Sequence, residues 1–358
     1  MPVNNYYNWN NTLGYNADVT CVITMRGVGK TYGLRKQFIM DWKKDGSRFV
    51  EVTRYKDEID DIFSNYFEKL QKNKEKCVEN LLFKYDKKHV YVAVKPKEGK
   101  KPNWEIVGYF AALSQMQRTK KKTYVNVKRI VFDEAILDYT DRYHKYMPNE
   151  YALLANVVDS CTRENADDEN TKYTPKLYLL ANACDLVNPI FARYGIDEAP
   201  KFGKQWYDGK TFLLDYVDPG KSAKKKLDNT LAGRMIRGTK EADAIAKNIF
   251  KNANNDFIAQ KTPAATFNFG VIYRGHKFGI WLDYDEGYYY VTSKIPKNTK
   301  EPIYALTRDD NKANLIAAKR SEYVLKTFVE LYYMGIIKYE SIALRNNFLD
   351  ALSLFGVR

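Results

Sequence analysis

The chain is 358 residues long, 45% hydrophobic and 15% aromatic, with 58 Lys and Arg against 44 Asp and Glu and a formal charge of +14. That length suits two domains, each able to bury its own core, and the composition excludes a disordered or collagen-like chain. Four scattered cysteines without a CxxC pair, three histidines and no long apolar run lead us to expect no disulfide framework, zinc site, membrane span or signal peptide, and hence a cytoplasmic protein.

In chain order, residues 19–24 read as a strand, 30–43 as a helix and 47–53 as a second strand. Residues 69–122 then hold fifteen Lys/Arg against five Asp/Glu, which places ten of the surplus charges in one stretch. A polyanion partner follows, nucleic acid ahead of membrane because no amphipathic basic helix accompanies the charge; a solvated lysine surface is the alternative. Within this stretch 82–84, 89–94 and 104–111 read as a β-ribbon excursion with 95–102 as a loop. Residues 129–132 and 176–181 are further strands, with a helix over 149–158 between them. Strands separated by helices predict a parallel sheet covered on both faces. Turn-forming and charged residues over 204–253 predict a linker. Residues 265–274, 276–283 and 288–294 predict a β-meander turning at Gly275 and Gly287, followed by helices over 310–333 and 340–354. The expected division is an α/β nucleotide-binding domain over 1–203, a linker over 204–253 and an α+β domain over 254–358.

The segment Thr24-Met25-Arg26-Gly27-Val28-Gly29-Lys30-Thr31 lies between the first strand and the first helix. Glycines there let backbone N–H groups wrap phosphate oxygens, and the helix amino terminus favours the anion. Arg26, Gly27, Val28, Gly29, Lys30 and Thr31 are the candidate nucleotide contacts, with Lys30 on the outer phosphates and Thr31 on magnesium. Thr24 stands where the phosphate-loop pattern has its first glycine, and a plain glycine turn is the competing reading. The strand at 129–132 ends in Asp133-Glu134, acids suited to holding Mg2+ (Asp133) and to polarising an attacking water (Glu134). Asn182, at the end of the strand over 176–181, is either a sensor of the terminal phosphate or a turn cap. Arg163 follows the helical stretch beside the acidic turn 164–169, and its spacing alone does not separate a catalytic role from a surface ion pair.

Read together, the strings Arg26-Gly27-Val28-Gly29-Lys30-Thr31, Arg54-Tyr55-Lys56, Ile130-Val131-Phe132-Asp133-Glu134, Met147-Pro148-Asn149-Glu150, Asn182-Ala183 and Val187-Asn188-Pro189 resemble the DNA-packaging ATPases of phi29-type podophages. Gly233-Arg234 with Ile236, Gly238-Thr239 and Gly279-Ile280-Trp281 extend the resemblance into the second half. It implies a P-loop ATPase domain of the ASCE type using ATP and Mg2+, then a small linker and a ribonuclease-H-like domain without nuclease activity. It also implies a ring, usually of five subunits, acting on double-stranded DNA at the phage portal or connector in the host cytoplasm, with a structural RNA as a further partner in some members. Arg163 matches the family's trans-acting arginine, and Lys56 and Lys120 match lysines near the nucleotide or the pore. Lys120 joins Arg118, Lys121 and Lys122 as nucleic-acid or trans-contact candidates. A terminase-like protein with an active nuclease, a non-hydrolysing nucleic-acid scaffold and a small-molecule kinase are the rival readings. The first is disfavoured because the strand over 266–274 carries no carboxylate.

Overall fold

The computed structural model describes residues 7–62, 65–116, 124–138, 145–147, 149–167, 174–196, 198–220, 231–235, 238–239, 247–250, 257–310 and 318–356. It divides into two units, Met1–Cys184 with Lys201–Ile249, and Asp185–Pro200 with Phe250–Arg358.

In the first unit the elements run α1 (Asn10–Leu13), β1 (Val19–Ile23), α2 (Lys30–Asp45), β2 (Arg48–Thr53), α3 (Asp57–Ile62), α4 (Glu68–Lys72), β3 (Leu81–Tyr85), β4 (His89–Val94), β5 (Glu105–Ala112), β6 (Val127–Phe132), α5 (Glu150–Asp167) and β7 (Lys176–Ala181). After α6 (Pro189–Tyr194), which belongs to the second unit, come β8 (Gly203–Tyr207), β9 (Phe212–Tyr216) and α7 (Leu231–Met235). One sheet takes all nine strands in the order β3-β4-β5-β2-β6-β7-β1-β9-β8. The six from β5 to β9 are parallel. Their near-continuous apolar sequences follow from burial on both faces. All six carboxyl ends therefore lie together, the end at which α/β sheets build their sites.

Aromatic packing holds α2 to this sheet. Phe49 of β2 stacks on Phe38 of α2 at 4.3 Å and on Tyr66 at 5.3 Å. Position 108 must be glycine for this, because a Cβ there would lie 2.3 Å from the Phe49 ring. Helix α2 stops at Gly46 (φ 70°), whose N–H returns to the Trp42 carbonyl, as a left-handed cap requires.

The second unit runs β10 (Thr266–Tyr273), β11 (His276–Asp283), β12 (Tyr288–Thr292), β13 (Ile303–Ala305), α8 (Ala318–Tyr333), β14 (Ile337–Tyr339) and α9 (Ile342–Ser353). Its sheet order is β13-β10-β11-β12-β14, an antiparallel meander with a parallel strand at each edge. Phe269, Phe278, Phe328 and Phe348 form the centre of its core. Helix α6 is capped by Asn188, which accepts from the Phe191 N–H with Pro189 in the first turn. Asn346 of α9 donates to the Asn188 carbonyl at 3.2 Å, and Phe191 meets Phe250 edge-on, so residues 185–200 pack with the second unit.

Several expectations change. The linker expected over 204–253 contains β8 and β9, and β9 pairs with β1 inside the main sheet. Its sequence Phe-Leu-Leu-Asp-Tyr is wholly buried, the signature of a core strand that the surrounding turn residues obscured. The β-ribbon expected as an excursion is continuous with the core: β5 pairs in parallel with β2. Helix α5 runs nine residues beyond 158, so Arg163 lies within it rather than after it. The three-residue strands β13 and β14 are too short to show a period in sequence. Among the described residues no helix is long and apolar enough to cross a membrane.

Candidate active site

Three strand ends converge on the loop between β1 and α2. Gly27 (φ 79°) and Gly29 (φ 74°) hold left-handed backbone, which bends the chain into a loop ahead of the helix. Thr24 is buried and needs no such conformation: its N–H donates to the Ala181 carbonyl at 3.2 Å and its hydroxyl to the Met25 carbonyl at 2.9 Å. Thr24 thus ends the strand pairing, and its side chain is accommodated with the loop intact. Helix α2 has no side-chain cap at Gly29, so the donors of its first turn are available to an anion.

Strand β7 lies between β1 and β6, which puts Asn182 between the loop and the acidic pair. The Lys30 ammonium donates to Asn182 Oδ1 at 2.9 Å. Burial pushes the Lys30 pKa below its ordinary value, against the opposing pull of Asp133 and Glu134. The Thr31 hydroxyl donates to Asp133 Oδ2 at 2.6 Å. Two protein oxygens at one point suit Mg2+, which takes few protein ligands and completes its octahedron with phosphate and water. Among the described residues no cluster of three His, Cys, Asp or Glu side chains could hold a metal alone. The loop, Lys30 and the Thr31–Asp133 pair therefore fit a nucleoside triphosphate with Mg2+.

Glu134 is exposed and has φ 51°, a left-handed backbone uncommon outside glycine. Its N–H donates to Asp133 Oδ1 at 3.0 Å, and its carbonyl accepts from both terminal nitrogens of Arg54 at 3.4 Å. Arg54 is 2% exposed, directly after β2, and makes a two-pronged ion pair with Glu150 of α5 at 2.7 and 2.8 Å. Its guanidinium also lies 4.9 Å from the centre of the Phe132 ring. In the sequence Arg54 stands within the Arg54-Tyr55-Lys56 string with nothing to mark its role. A charged residue in a loop signals nothing unless its partner, almost a hundred positions away, is known.

The amino-terminal segment is a second feature invisible in sequence. Tyr7 N–H donates to the Val28 carbonyl, and Trp9 Nε1 donates to the Lys30 carbonyl, both at 2.8 Å. The Trp9 indole fills the space at Gly33 and meets Tyr178 edge-on. Tyr7 and Thr12 both donate to the buried Asp215 of β9, which also pairs with Lys204 at 2.9 Å. This strap fixes the outer side of the loop. Trp9→Ala is expected to lower stability by about 3 kcal/mol, read from urea unfolding followed by circular dichroism. A loss below about 1 kcal/mol would show that the loop holds its shape without the indole.

Other expected residues lie apart. Arg163 is exposed on α5 and pairs with Asp159 at 3.1 Å. Along the helix it stands about 20 Å from Glu150. Among the described residues its ion pair is with Asp159 on its own helix and not with Lys30, Thr31, Asp133 or Asn182. Lys56 is exposed, and Arg26 points to the surface at the loop tip. Arg118, Lys120, Lys121 and Lys122 lie outside the described residues.

The family model for the podovirus DNA encapsidation protein (Gp16) matches residues 1–353. The DNA packaging protein of Bacillus phage phi29 is 29% identical over 349 residues, covering 95% of each chain. That of Bacillus phage B103 is 28% identical over 337 residues, covering 93% of this chain and 96% of its own. Among solved structures, the bacteriophage Phi-29 viral genome packaging motor assembly matches with TM-score 0.66 at 26% identity over 98% of both chains. The Phi-28 gp11 DNA packaging motor shares the fold with TM-score 0.71 at 19% identity over 99% of both. With the match running almost the whole length of the sequence and through both units, the chain belongs to the podovirus DNA encapsidation protein family.

Proposed function

We propose that this chain is an ATP-driven motor subunit that moves double-stranded DNA through the portal into a phage prohead. The observation that carries the reading is the convergence of Lys30, Thr31, Asp133 and Asn182 from three parallel strand ends onto a glycine loop. Lys30 and the loop amides would hold the phosphates, Thr31 and Asp133 the Mg2+, and Glu134 would take the proton of an attacking water. ATP with Mg2+, once bound, supplies the phosphoryl group whose transfer releases the free energy for movement. Asn182 already contacts Lys30, so it is placed to respond to the charge that Lys30 faces. The test is ATP hydrolysis by the full chain, alone and with portal, with and without duplex DNA. DNA-stimulated turnover is expected, and none under any of these conditions would sink the reading.

The ring, with five subunits and sites at subunit boundaries, is part of this proposal, as is host cytoplasm at the prohead portal as its place of action. The exposure of Arg163 supports a role in the neighbouring site. Arg163→Ala is expected to change stability by less than about 0.5 kcal/mol while lowering hydrolysis in the assembled ring at least tenfold. Mixing it with Glu134→Gln subunits should restore turnover, because each variant supplies what the other lacks at a shared boundary. No rescue in mixed rings would rule out the trans role.

For the second unit we propose a ribonuclease-H-like domain that binds nucleic acid or a partner without cutting. Asp283 supports this: its carboxylate accepts from the N–H groups of Asp285 and Glu286 at 3.0 and 3.1 Å and from the Thr262 hydroxyl, so it is occupied in closing the hairpin. Because residues 185–200 belong to this unit, nuclease assays need the full chain. Nicking of plasmid DNA in Mg2+ or Mn2+ would overturn the non-cutting assignment.

A further inference from the structure

The lysine-rich stretch is one run in sequence, but the sheet divides it between two ends. Strand β5 is parallel to β2 and β4 is antiparallel to β5, so the chain leaves β4 and enters β5 at the amino ends of the parallel strands. Loop 95–104 is therefore at the end opposite the candidate active site, and the Lys95 N–H closes it onto the Asn80 carbonyl at 2.8 Å. The eight residues of β5 separate the two ends by roughly 23 Å. The turn between β3 and β4 points the other way: the Lys88 carbonyl accepts from the Phe110 N–H at 2.9 Å, level with the carboxyl half of β5.

Lys95, Lys97, Lys100 and Lys101 are all exposed, against the single acid Glu98 within the loop. Among the described residues none of the four is in an ion pair, whereas Lys87 is engaged by Asp60 at 2.9 Å and Lys128 by Asp45 at 2.6 Å. The positive charge is concentrated in the loop itself; at its base a concavity lined by Trp42, Lys43, Glu79, Leu81, Val94 and Glu105 joins it to the end of α2. The exposed acids nearby are Glu79 and Glu105, offset in charge by Lys43 and Lys44, and Asp45, which pairs with Lys128 at 2.6 Å.

We propose that loop 95–104 holds the phosphodiester backbone of the duplex independently of the nucleotide state; this rests on the DNA-translocating reading above. Lysine without arginine supplies point charges that contact phosphates and carry no base information. A protein interface would instead favour arginine and aromatic anchors and be depleted in lysine, and Trp104 is the one aromatic residue in the loop. The contacts a nucleotide would change lie among Lys30, Thr31, Asp133, Glu134 and Asn182, at the opposite end of strands locked by parallel pairing. A hold at the amino ends would keep DNA engaged while a site at the carboxyl ends exchanges nucleotide.

The test is anisotropy of a short fluorescent DNA duplex titrated with the full chain over about 50–200 mM salt, without nucleotide and with a non-hydrolysable ATP analogue. Each phosphate contact contributes about 0.9 to the slope of log affinity against log salt. Changing all four lysines to Gln is expected to make the slope shallower by about 3–4 under both conditions, while changing all four to Arg keeps it. An unchanged unfolding midpoint serves as the control for folding. A slope unaffected by the Gln changes, or affected only with the analogue, overturns the proposal and leaves the motor reading standing. Absence of duplex binding by the unaltered chain, both alone and with portal, overturns both. A parallel titration with duplex RNA identifies the source: a loss confined to RNA assigns the loop to a structural RNA backbone, and a loss on DNA assigns it to the translocated duplex.

Discussion

Glu134→Gln is expected to lower ATP hydrolysis by about 10²–10⁴-fold while nucleotide affinity stays within about twofold of the unaltered chain. The substitution keeps shape and removes only the basic oxygen. The surrounding geometry does not depend on that oxygen, because the backbone at 134 is held through its N–H by Asp133 and through its carbonyl by Arg54. The proposed phosphate contacts of Lys30 and the loop would be untouched, as would the Thr31–Asp133 pair. Binding of a fluorescent ATP analogue and phosphate release on the same preparation separate the two effects. A loss of turnover smaller than tenfold would mean that another group activates the water, with the adjacent carboxylate of Asp133 the candidate.

Arg54→Met is expected to cost about 3–5 kcal/mol, because it leaves the Glu150 carboxylate buried without its charge partner. Both side chains of the pair are less than 5% exposed. Replacing both, Arg54→Met with Glu150→Met, is expected to recover most of that stability, since an apolar pair of similar volume avoids the desolvation of two ions. Hydrolysis should remain low in the double variant, because the Glu134 carbonyl still lacks its donor. Urea unfolding across the four-member cycle, with turnover measured on each protein, tests both halves. Recovery of activity together with stability would show that Arg54 acts only as a structural ion pair and has no hold on Glu134.

What could be read in advance followed the range of the interaction. The strand, glycine loop and helix around Lys30 are consecutive, and each announces itself by residue type: apolar run, positive-φ glycine, helical period. The meander of the second unit was legible for the same reason, its turns at Gly275 (φ 79°) and Gly287 (φ 72°) standing between aromatic runs. Strand β9 was missed because five buried residues between turns and charges are too few to establish a period, and its partner β1 is nearly two hundred positions away. The extension of α5 was missed because residues 159–167 are mostly polar, with Cys161 the one buried apolar side chain among the described ones to continue the face of Leu154 and Val157. Arg54 and Trp9 were missed because their partners, Glu150 and Lys30, are specified by folding alone.

The sequence by itself determined the α/β class of the first half, the glycine loop between strand and helix with the acidic strand end, and the excess of positive charge, since all three depend on local composition and spacing. The tertiary structure alone decided that Asn182 meets Lys30, that Arg54 secures the backbone of Glu134, and that residues 185–200 pack with the second unit. It also divided one lysine run between two ends of a sheet, because strand direction is set by pairing partners and a charge count along the chain carries no direction.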